Sequence, residues 1–139
     1  MRRTLLTLAI AVTLAGITAS AHHSFAAYYF ENQSTTLEGE VQEFQLRSPH
    51  ALLLFKVRTP QGTVETYTAE WSNPRRLGNA GITTDTLTPG DVVVVTGSPG
   101  RNPAERKLHL KGILRPGDGW AYGAMRRPTR PAAQTSSGR

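Results

Sequence analysis

The chain has 139 residues, of which 16 are Lys or Arg, 10 are Asp or Glu, 4 are His and none is Cys. This length accommodates one domain with a modest core, so a large multi-substrate enzyme is excluded. The lack of cysteine also excludes a disulfide scaffold, a thiolate metal site and a cysteine nucleophile.

The start of the chain has the three-part pattern of a secretory signal peptide. A basic pair, Arg2-Arg3, precedes an apolar run over 5–17 and a small-residue cleavage site, Ala19-Ser20-Ala21. The apolar run is shorter than the roughly 20 residues that a membrane helix needs. We therefore expect a signal peptide over 1–21, export to the periplasm, His22 as the new N-terminus and no transmembrane segment after cleavage. A cut after Ala19 is the alternative.

Basic residues are concentrated at the C-terminal end. Removal of the leader lowers the net charge from +6 to +4, and residues 22–114 contain nine basic and nine acidic side chains. A nucleic-acid-binding protein carries a cluster of basic side chains on the surface of its folded domain. In this chain the excess of basic residues lies in the C-terminal tail instead, so we expect no nucleic-acid partner. Residues 115–139 are predicted to be a disordered basic tail, in which Trp120 and Tyr122 can dock on the body.

Hydrophobic patterning predicts mostly strands after an aromatic-rich arm over 22–34. Alternation and apolar runs predict strands over 35–44, 51–59, 64–71, 92–95 and 108–114. Between the third and fourth strands, Ser72 or Asn73 can cap a short helix that has Pro74 in its first turn.

Three strands, a helix and two strands is the order of the five-stranded oligonucleotide/oligosaccharide-binding (OB) barrel. The sequence thus predicts one all-β domain with one short helix over 22–114, built as a small OB-like barrel. A small β-sandwich is the alternative, and the position of the helix favours the barrel. Because such barrels host many functions, the fold alone assigns none.

The histidines carry the strongest chemical signal. His22 and His23 stand at the expected mature start, and His50 lies at a strand end. A terminal histidine can chelate a metal ion through its α-amine and ring, and another imidazole completes a nitrogen set that suits Cu(II) best. Glu70 can add an oxygen. We therefore predict a metal site, with copper as the candidate metal, whereas strand parity predicts an outward His109.

Several motifs together resemble a family of small exported proteobacterial proteins of unknown function. They are His22-His23-Ser24-Phe25, Leu37-x-Gly39-x-Val41, Ser48-Pro49-His50, Glu70 with Ser72-x-Pro74-x-x-Leu77, and Thr86-Leu87-x-Pro89-Gly90-Asp91. Members of that family usually have Asn where this chain has Ser48. The resemblance covers about residues 20–114. It implies export and a small β-barrel but no established activity, and its shared histidines support the metal prediction.

A periplasmic binding module without metal is the alternative function. Its barrel face would take an oligosaccharide, an anionic ligand or a protein partner. The candidate contacts are Trp71, Tyr67 and Phe55, if exposed, with Arg75 and Arg76 to hold an anion. The sequence contains no recognisable catalytic triad, paired carboxylates or phosphate loop, which favours a non-enzymatic role. A copper-dependent oxidase or oxygenase would also need a flat substrate face, of which the sequence gives no sign.

Overall fold

The computed structural model describes residues 24–125, so the predicted leader, His22 and His23 lie outside the described residues. Within this range, six strands and one α-helix follow one another: β1 (Thr35–Gln45), β2 (Leu52–Arg58), β3 (Val64–Glu70), α1 (Pro74–Asn79), β4 (Val92–Pro99), β5 (Lys107–Arg115) and β6 (Trp120–Gly123). Single 3-10 turns lie at Phe25–Ala27 and Pro103–Glu105. None of the helices in this range has the length and apolarity needed to cross a membrane.

The first five strands close into a barrel in the order β1-β2-β3-β5-β4. Every neighbouring pair is antiparallel except β3 and β5, which run parallel. This parallel seam consists of the register pairs Thr68–Lys107, Ala69–Leu108 and Glu70–His109. The predicted OB-like barrel is therefore confirmed, and the sandwich alternative is excluded.

Alternating side chains of the strands fill the barrel. Leu53, Phe55, Val93, Val95 and Ile113 are fully buried, and within β2 and β4 they occupy every second position, as the period of a strand requires. Leu77 of α1 is also fully buried and belongs to the same hydrophobic core. Asn73 caps this helix, and its side-chain oxygen accepts a hydrogen bond from the backbone N–H of Arg76.

Strand β1 contacts both neighbours by bending. It pairs with β4 over residues 35–40 and with β2 over residues 40–45, and the register shifts between Val41 and Glu43. The sequence suggests this irregularity at Phe44, where the alternation breaks. The extra residue at Gln42 increases the local twist and turns the strand from one partner to the other.

The prediction of a disordered tail from residue 115 is corrected for residues 115–125. Strand β6 pairs antiparallel with β5 outside the barrel. Arg115 holds this strand in place: its guanidinium donates to Asp91 at 3.0 Å and to Asp118 at 2.9 Å, and it lies over the Trp120 ring. Trp120 and Tyr122 pack against the core, as the sequence allows. The rest of the predicted tail, residues 126–139, lies outside the described residues.

Candidate functional site

A histidine, a carboxylate and a tyrosine are linked at one end of the barrel. His50 lies near the end of the β1–β2 loop, and Glu70 is the last residue of β3. The backbone N–H of Trp71 donates to Ala51 O at 2.8 Å, which holds these two segments side by side. His50 Nδ1 lies 2.6 Å from Glu70 Oε1, and the Tyr29 hydroxyl donates to Glu70 Oε2 at 2.6 Å. Both oxygens of this carboxylate are therefore engaged within the protein.

Tyr29 is a firm hydrogen-bond donor in this group. It is 3% exposed, and burial, followed by the hydrogen bond to Glu70, raises the pKa of its hydroxyl well above the usual range. Because a carboxylate can only accept, the proton between His50 and Glu70 sits on His50 Nδ1. In a neutral imidazole with this tautomer, Nε2 is the nitrogen that carries the lone pair.

A second histidine lies close by on β5. His109 Nδ1 is 2.8 Å from Glu31 Oε1 and 2.9 Å from Lys111 Nζ, and Lys111 Nζ donates to Glu31 Oε2 at 2.5 Å. Burial lowers the pKa of His109, and the charge of Lys111 lowers it further, although Glu31 opposes both. For Glu31, hydrogen bonds from Lys111 and His109 outweigh burial and lower the pKa of the carboxyl.

The two histidines share one aromatic neighbour. The Phe25 ring stacks on His109, with centroids 3.6 Å apart and an interplanar angle of 4°. Its centroid also lies 4.9 Å from that of His50, at 38°. His109 faces outward from the barrel, as predicted, but its side chain is only 15% exposed. The N-terminal arm, residues 24–34, covers it, which strand parity alone does not reveal.

Backbone hydrogen bonds fix the arm to the end of β4. The Phe30 N–H donates to Pro99 O, the Arg101 N–H donates to Tyr28 O, and Tyr29 forms a bridge with Gly100. The Arg101 guanidinium adds a hydrogen bond to Ala26 O and lies over the ring of Phe30. The arm is thus fixed to the barrel by one isolated β-bridge and these hydrogen bonds, although it forms no strand of its own.

The ion pair between Glu31 and Lys111 predicts a pH-dependent stability. Because its pKa is lowered on folding, Glu31 contributes stability above pH 4.5, its ordinary pKa, and that contribution is lost as the pH falls through the folded-state value. We expect Glu31→Gln to lower the free energy of unfolding at pH 7 by about 1 kcal/mol, discounted for partial exposure. Denaturant titrations from pH 3 to 7 check this. The two proteins should converge in acid, whereas Glu38→Gln on an exposed face should change little, and a constant difference at every pH would contradict the assignment.

A cavity of about 450 Å³ opens beside His50. It lies between the arm, the β1–β2 loop and the β4–β5 loop, and Phe25, Pro49, His50, Glu70, Asn102 and Lys107 are among its lining residues. His109 is not among them, because the Phe25 ring lies over it. Of the two imidazoles, His50 is therefore the one that faces this space.

The predicted metal ligands are only partly within the described chain. His50 and Glu70 are brought together as the prediction requires, but Glu70 lies against His50 Nδ1 as a hydrogen-bond partner rather than as a separate oxygen donor. Within residues 24–125, no group of three or more His, Cys, Asp or Glu side chains is placed to hold a metal ion. The other predicted ligands, His22 and His23, lie just outside that range.

The residues predicted for a metal-free binding face are scattered. Trp71 is 1% exposed and Phe55 is fully buried. Both are therefore core residues, and neither is exposed as a ligand contact would have to be. Tyr67 is half-buried and packs against Phe55. Arg75 and Arg76 are exposed on α1. These positions do not converge on the cavity beside His50.

Sequence reasoning missed the part of the site that the arm contributes. The density of Phe and Tyr in residues 25–30 indicates packing on the body, but it does not say against which strand. Tyr29, Glu31 and His109 find their partners across separations of 41 and 78 residues. A local pattern carries no information about such pairs.

Solved structures similar to this chain share low sequence identity with it. Two are TiaS structures, one of a ZRD-deleted mutant in complex with agmatine and one of a complex with a tRNA and ATP. Both are 22% identical over 60% of this chain, at a TM-score of 0.41, and the match covers 21% and 18% of those chains. A small single-stranded DNA-binding protein from Streptomyces coelicolor is 17% identical, also at 0.41, over 60% of this chain and 90% of that one. This chain thus spans about a fifth of the length of the TiaS proteins, and no function is transferred from any of the three.

The sequence comparisons point to a family without an assigned activity. No curated protein matches the chain significantly. Residues 10–109 match DUF6152, described as a family of unknown function. Because this match spans most of the chain, including the barrel strands up to the start of β5 and every histidine of the sequence, the chain belongs to the DUF6152 family.

Proposed function

We propose that this protein is an exported periplasmic metal-binding accessory protein that holds Cu(II) with the mature N-terminus, His22, His23 and His50. The observation that supports it most is the position of Phe25, whose ring centroid lies 4.9 Å from that of His50. His23 precedes Phe25 by two residues, so chain geometry keeps their Cα atoms within roughly 7.6 Å of each other. In our proposal, this short separation allows the N-terminal histidines to reach His50.

The surroundings of His50 suit a metal ligand. In metal sites, a ligating histidine commonly donates its other ring N–H to a carboxylate, which fixes the tautomer and raises the basicity of the ligating nitrogen. Glu70 makes this contact with Nδ1 at 2.6 Å, and Tyr29 in turn holds Glu70. Glu70 thus acts as an orienting partner of His50 in our proposal, and Nε2 is the atom offered to copper.

The α-amine of His22 and its ring nitrogen would supply two further donors. Amine and imidazole nitrogens lie high in the affinity order for Cu(II). His23 is then a further imidazole within reach. This set exists only when a signal peptidase has removed the leader, so that copper binding begins in the compartment to which the protein is exported.

The test is copper titration of mature protein purified from a periplasm, with its N-terminus confirmed by mass spectrometry. We expect one equivalent of Cu(II) to bind with a submicromolar Kd against a competing chelator and to show nitrogen hyperfine structure by electron paramagnetic resonance. His22→Ala, or one residue added before His22, should weaken binding by at least about 100-fold. Loss of a direct ligand should exceed the roughly 10–100-fold that loss of an outer partner costs, which is the range expected for Glu70→Gln.

Glu38→Gln is the matched control for the carboxylate, because Glu38 lies on an exposed face of β1. It should leave the Kd unchanged. Unchanged affinity in both N-terminal variants would overturn the proposal, and so would absence of tight binding by the mature wild type.

The cavity beside His50 supports a second candidate, a metal-free binding module. A volume of about 450 Å³ is within the range of small-molecule sites, and OB barrels bind oligonucleotides and oligosaccharides at their β1–β2 and β4–β5 loops. A small ligand retained by protein that has been stripped of metal, and displaced by His50→Ala without any copper effect, would favour this candidate.

A further inference from the structure

A second cavity adjoins the cavity beside His50. Its volume is about 470 Å³, against about 450 Å³ for the first, and both values lie within the range of small-molecule sites. Both cavities are lined by Tyr29, Pro49, His50, Glu70 and Lys107. Arg47 lines only the second cavity, and Arg101 lines only the first. The combined space, which we call the His50 groove, therefore has one arginine in each half.

From these residues we infer that the His50 groove binds a hydroxylated dicarboxylate, a molecule with an acidic group at each end and hydroxyl groups between them. Free sugar diacids and short uronic-acid oligosaccharides share this chemistry. This site deepens the metal-free candidate described above, on which it rests, because it names the class of ligand. It uses only residues of the described chain and requires no copper.

Positive charge is available in both halves of the groove. Within residues 24–125, neither Arg47 nor Arg101 forms an ion pair with a carboxylate. Arg101 donates from Nε to Ala26 O and lies over the Phe30 ring, which fixes the guanidinium and leaves its terminal N–H groups for a ligand. A guanidinium binds a carboxylate through two parallel hydrogen bonds. Each half of the groove can therefore hold one carboxylate.

The acidic side chains that line the groove already have partners within the protein. Both oxygens of Glu70 are engaged, one of them by His50 at 2.6 Å. Glu105 lies 2.5 Å from Lys107 Nζ and accepts a hydrogen bond from Asn102 at 3.1 Å. Because Glu105 and Lys107 neutralise each other, the two arginines determine the charge that the groove presents to a ligand.

His50 lies where the two halves of the groove meet, and it suits a hydroxyl group. Its side chain is 29% exposed although Nδ1 is bonded to Glu70, so Nε2 is the ring nitrogen that a ligand can contact. In the neutral imidazole this atom accepts a hydrogen bond, which a hydroxyl group can donate and a carboxylate cannot. Arg47 lies in the β1–β2 loop and Arg101 in the β4–β5 loop, the loops at which OB barrels bind their ligands.

The experiment is isothermal titration calorimetry of protein purified from a periplasm and treated with EDTA, so that no metal contributes. Galactarate, a sugar diacid, should bind saturably with one molecule per chain. Adipate has the same carbon chain and both carboxylates but no hydroxyl groups, and gluconate keeps hydroxyl groups but has one carboxylate. Each should bind about tenfold more weakly than galactarate, since each lacks one class of hydrogen bond.

Digalacturonate separates the two sources of this chemistry. A lower Kd for digalacturonate than for galactarate would support the site and identify the oligosaccharide as its ligand, whereas the reverse order would support the site and identify the free diacid.

Two substitutions assign the binding to the groove. Arg47→Gln should weaken galactarate binding by about tenfold or more, and because Arg47 is exposed the fold should be retained. Arg75→Gln is the matched control, because Arg75 is an exposed arginine of α1 that does not line the groove. His50→Ala should weaken the binding of galactarate but leave that of adipate unchanged, since His50 contacts the hydroxyl groups.

Three results would overturn the inference. The first is that the wild type binds neither galactarate nor digalacturonate, and the second is that Arg47→Gln and Arg75→Gln have equal Kd values. The third is tighter binding of a neutral disaccharide such as cellobiose, or of a single-stranded oligonucleotide, than of either acid, which would leave the metal-free module standing with another ligand. None of these results bears on the copper titration, because the protein is free of metal throughout.

Discussion

Trp71→Ala should lower the free energy of unfolding by about 3–5 kcal/mol, the cost of emptying a buried indole site. Trp71 follows β3 directly and is 1% exposed. Its ring packs against Phe44 and, edge to face, against Tyr122 at a centroid distance of 5.1 Å. The substitution therefore removes contacts with the barrel and with the added strand β6 at once. Small domains have about 5–15 kcal/mol in total, so a large part of the stability should be lost.

The indole N–H of Trp71 makes a second substitution informative. Nε1 is buried, and within residues 24–125 it has no hydrogen-bond partner. An unpaired buried donor costs about 1–3 kcal/mol, so Trp71→Phe removes a penalty together with some packing. We expect Trp71→Phe to lose much less stability than Trp71→Ala.

Urea unfolding followed by far-ultraviolet circular dichroism measures both variants on the same scale. Val64→Ala is the control, because Val64 is 51% exposed and should stay within about 0.5 kcal/mol of the wild type. A Trp71→Ala protein as stable as this control would show that Trp71 is not a core residue in solution.

Gly39→Ala should be strongly destabilising although it adds only one methyl group. A Cβ at Gly39 would lie 2.4 Å from Lys56 O and 2.7 Å from Phe55 Cδ2. The first of these neighbours is backbone of β2, so relief requires β1 and β2 to separate. Overpacking costs about 1–3 kcal/mol, and occasionally more. We expect a loss at the upper end of that range, about 3 kcal/mol, because the contact is to backbone of a closed barrel.

Gly78→Ala is the matched control for this substitution. Gly78 lies in α1, and a Cβ there would meet nothing within 4 Å. Alanine is a better helix former than glycine by up to about 1 kcal/mol, so this variant should be as stable as the wild type or slightly more stable. Thermal unfolding of the two variants side by side decides the matter, and equal midpoints would contradict the steric argument.

The barrel was predictable because its information is local. Alternation over β1 and β2, turn residues between β2 and β3, and the helix cap at Asn73 each appear within a few residues. The strand at 92–95 shows the limit of this reasoning. Its unbroken valine run predicts cover on both faces, yet Val93 and Val95 are fully buried while Val92 is 49% exposed. The β-branched residues satisfy strand geometry even where one face remains open.

The site was predictable only in its parts. His50 and Glu70 stand out individually, but their hydrogen bond depends on how the β1–β2 loop meets the end of β3. The cover over His109 depends on an arm that precedes it by about 80 residues. Strand β6 was missed because its four residues lie in a segment rich in Gly, Pro and Arg. What secures it is Arg115, which contacts Asp91 and Asp118 together, and no local pattern encodes that contact.

The parallel seam has a consequence for motion. The barrel closes between β3 and β5 through three residue pairs, and the last of them joins Glu70 to His109. Local opening is favoured where few contacts join two elements, and transient separation of these strands would also move the Glu70 carboxylate, which is bonded to His50, away from the His109 imidazole beneath Phe25. Separation of β3 from β5 and disruption of the site around His50 would then occur together. A ligand that holds the arm against His50 should therefore stabilise the pairing of β3 with β5. This effect is measurable as slower amide hydrogen exchange at residues 68–70 and 107–109.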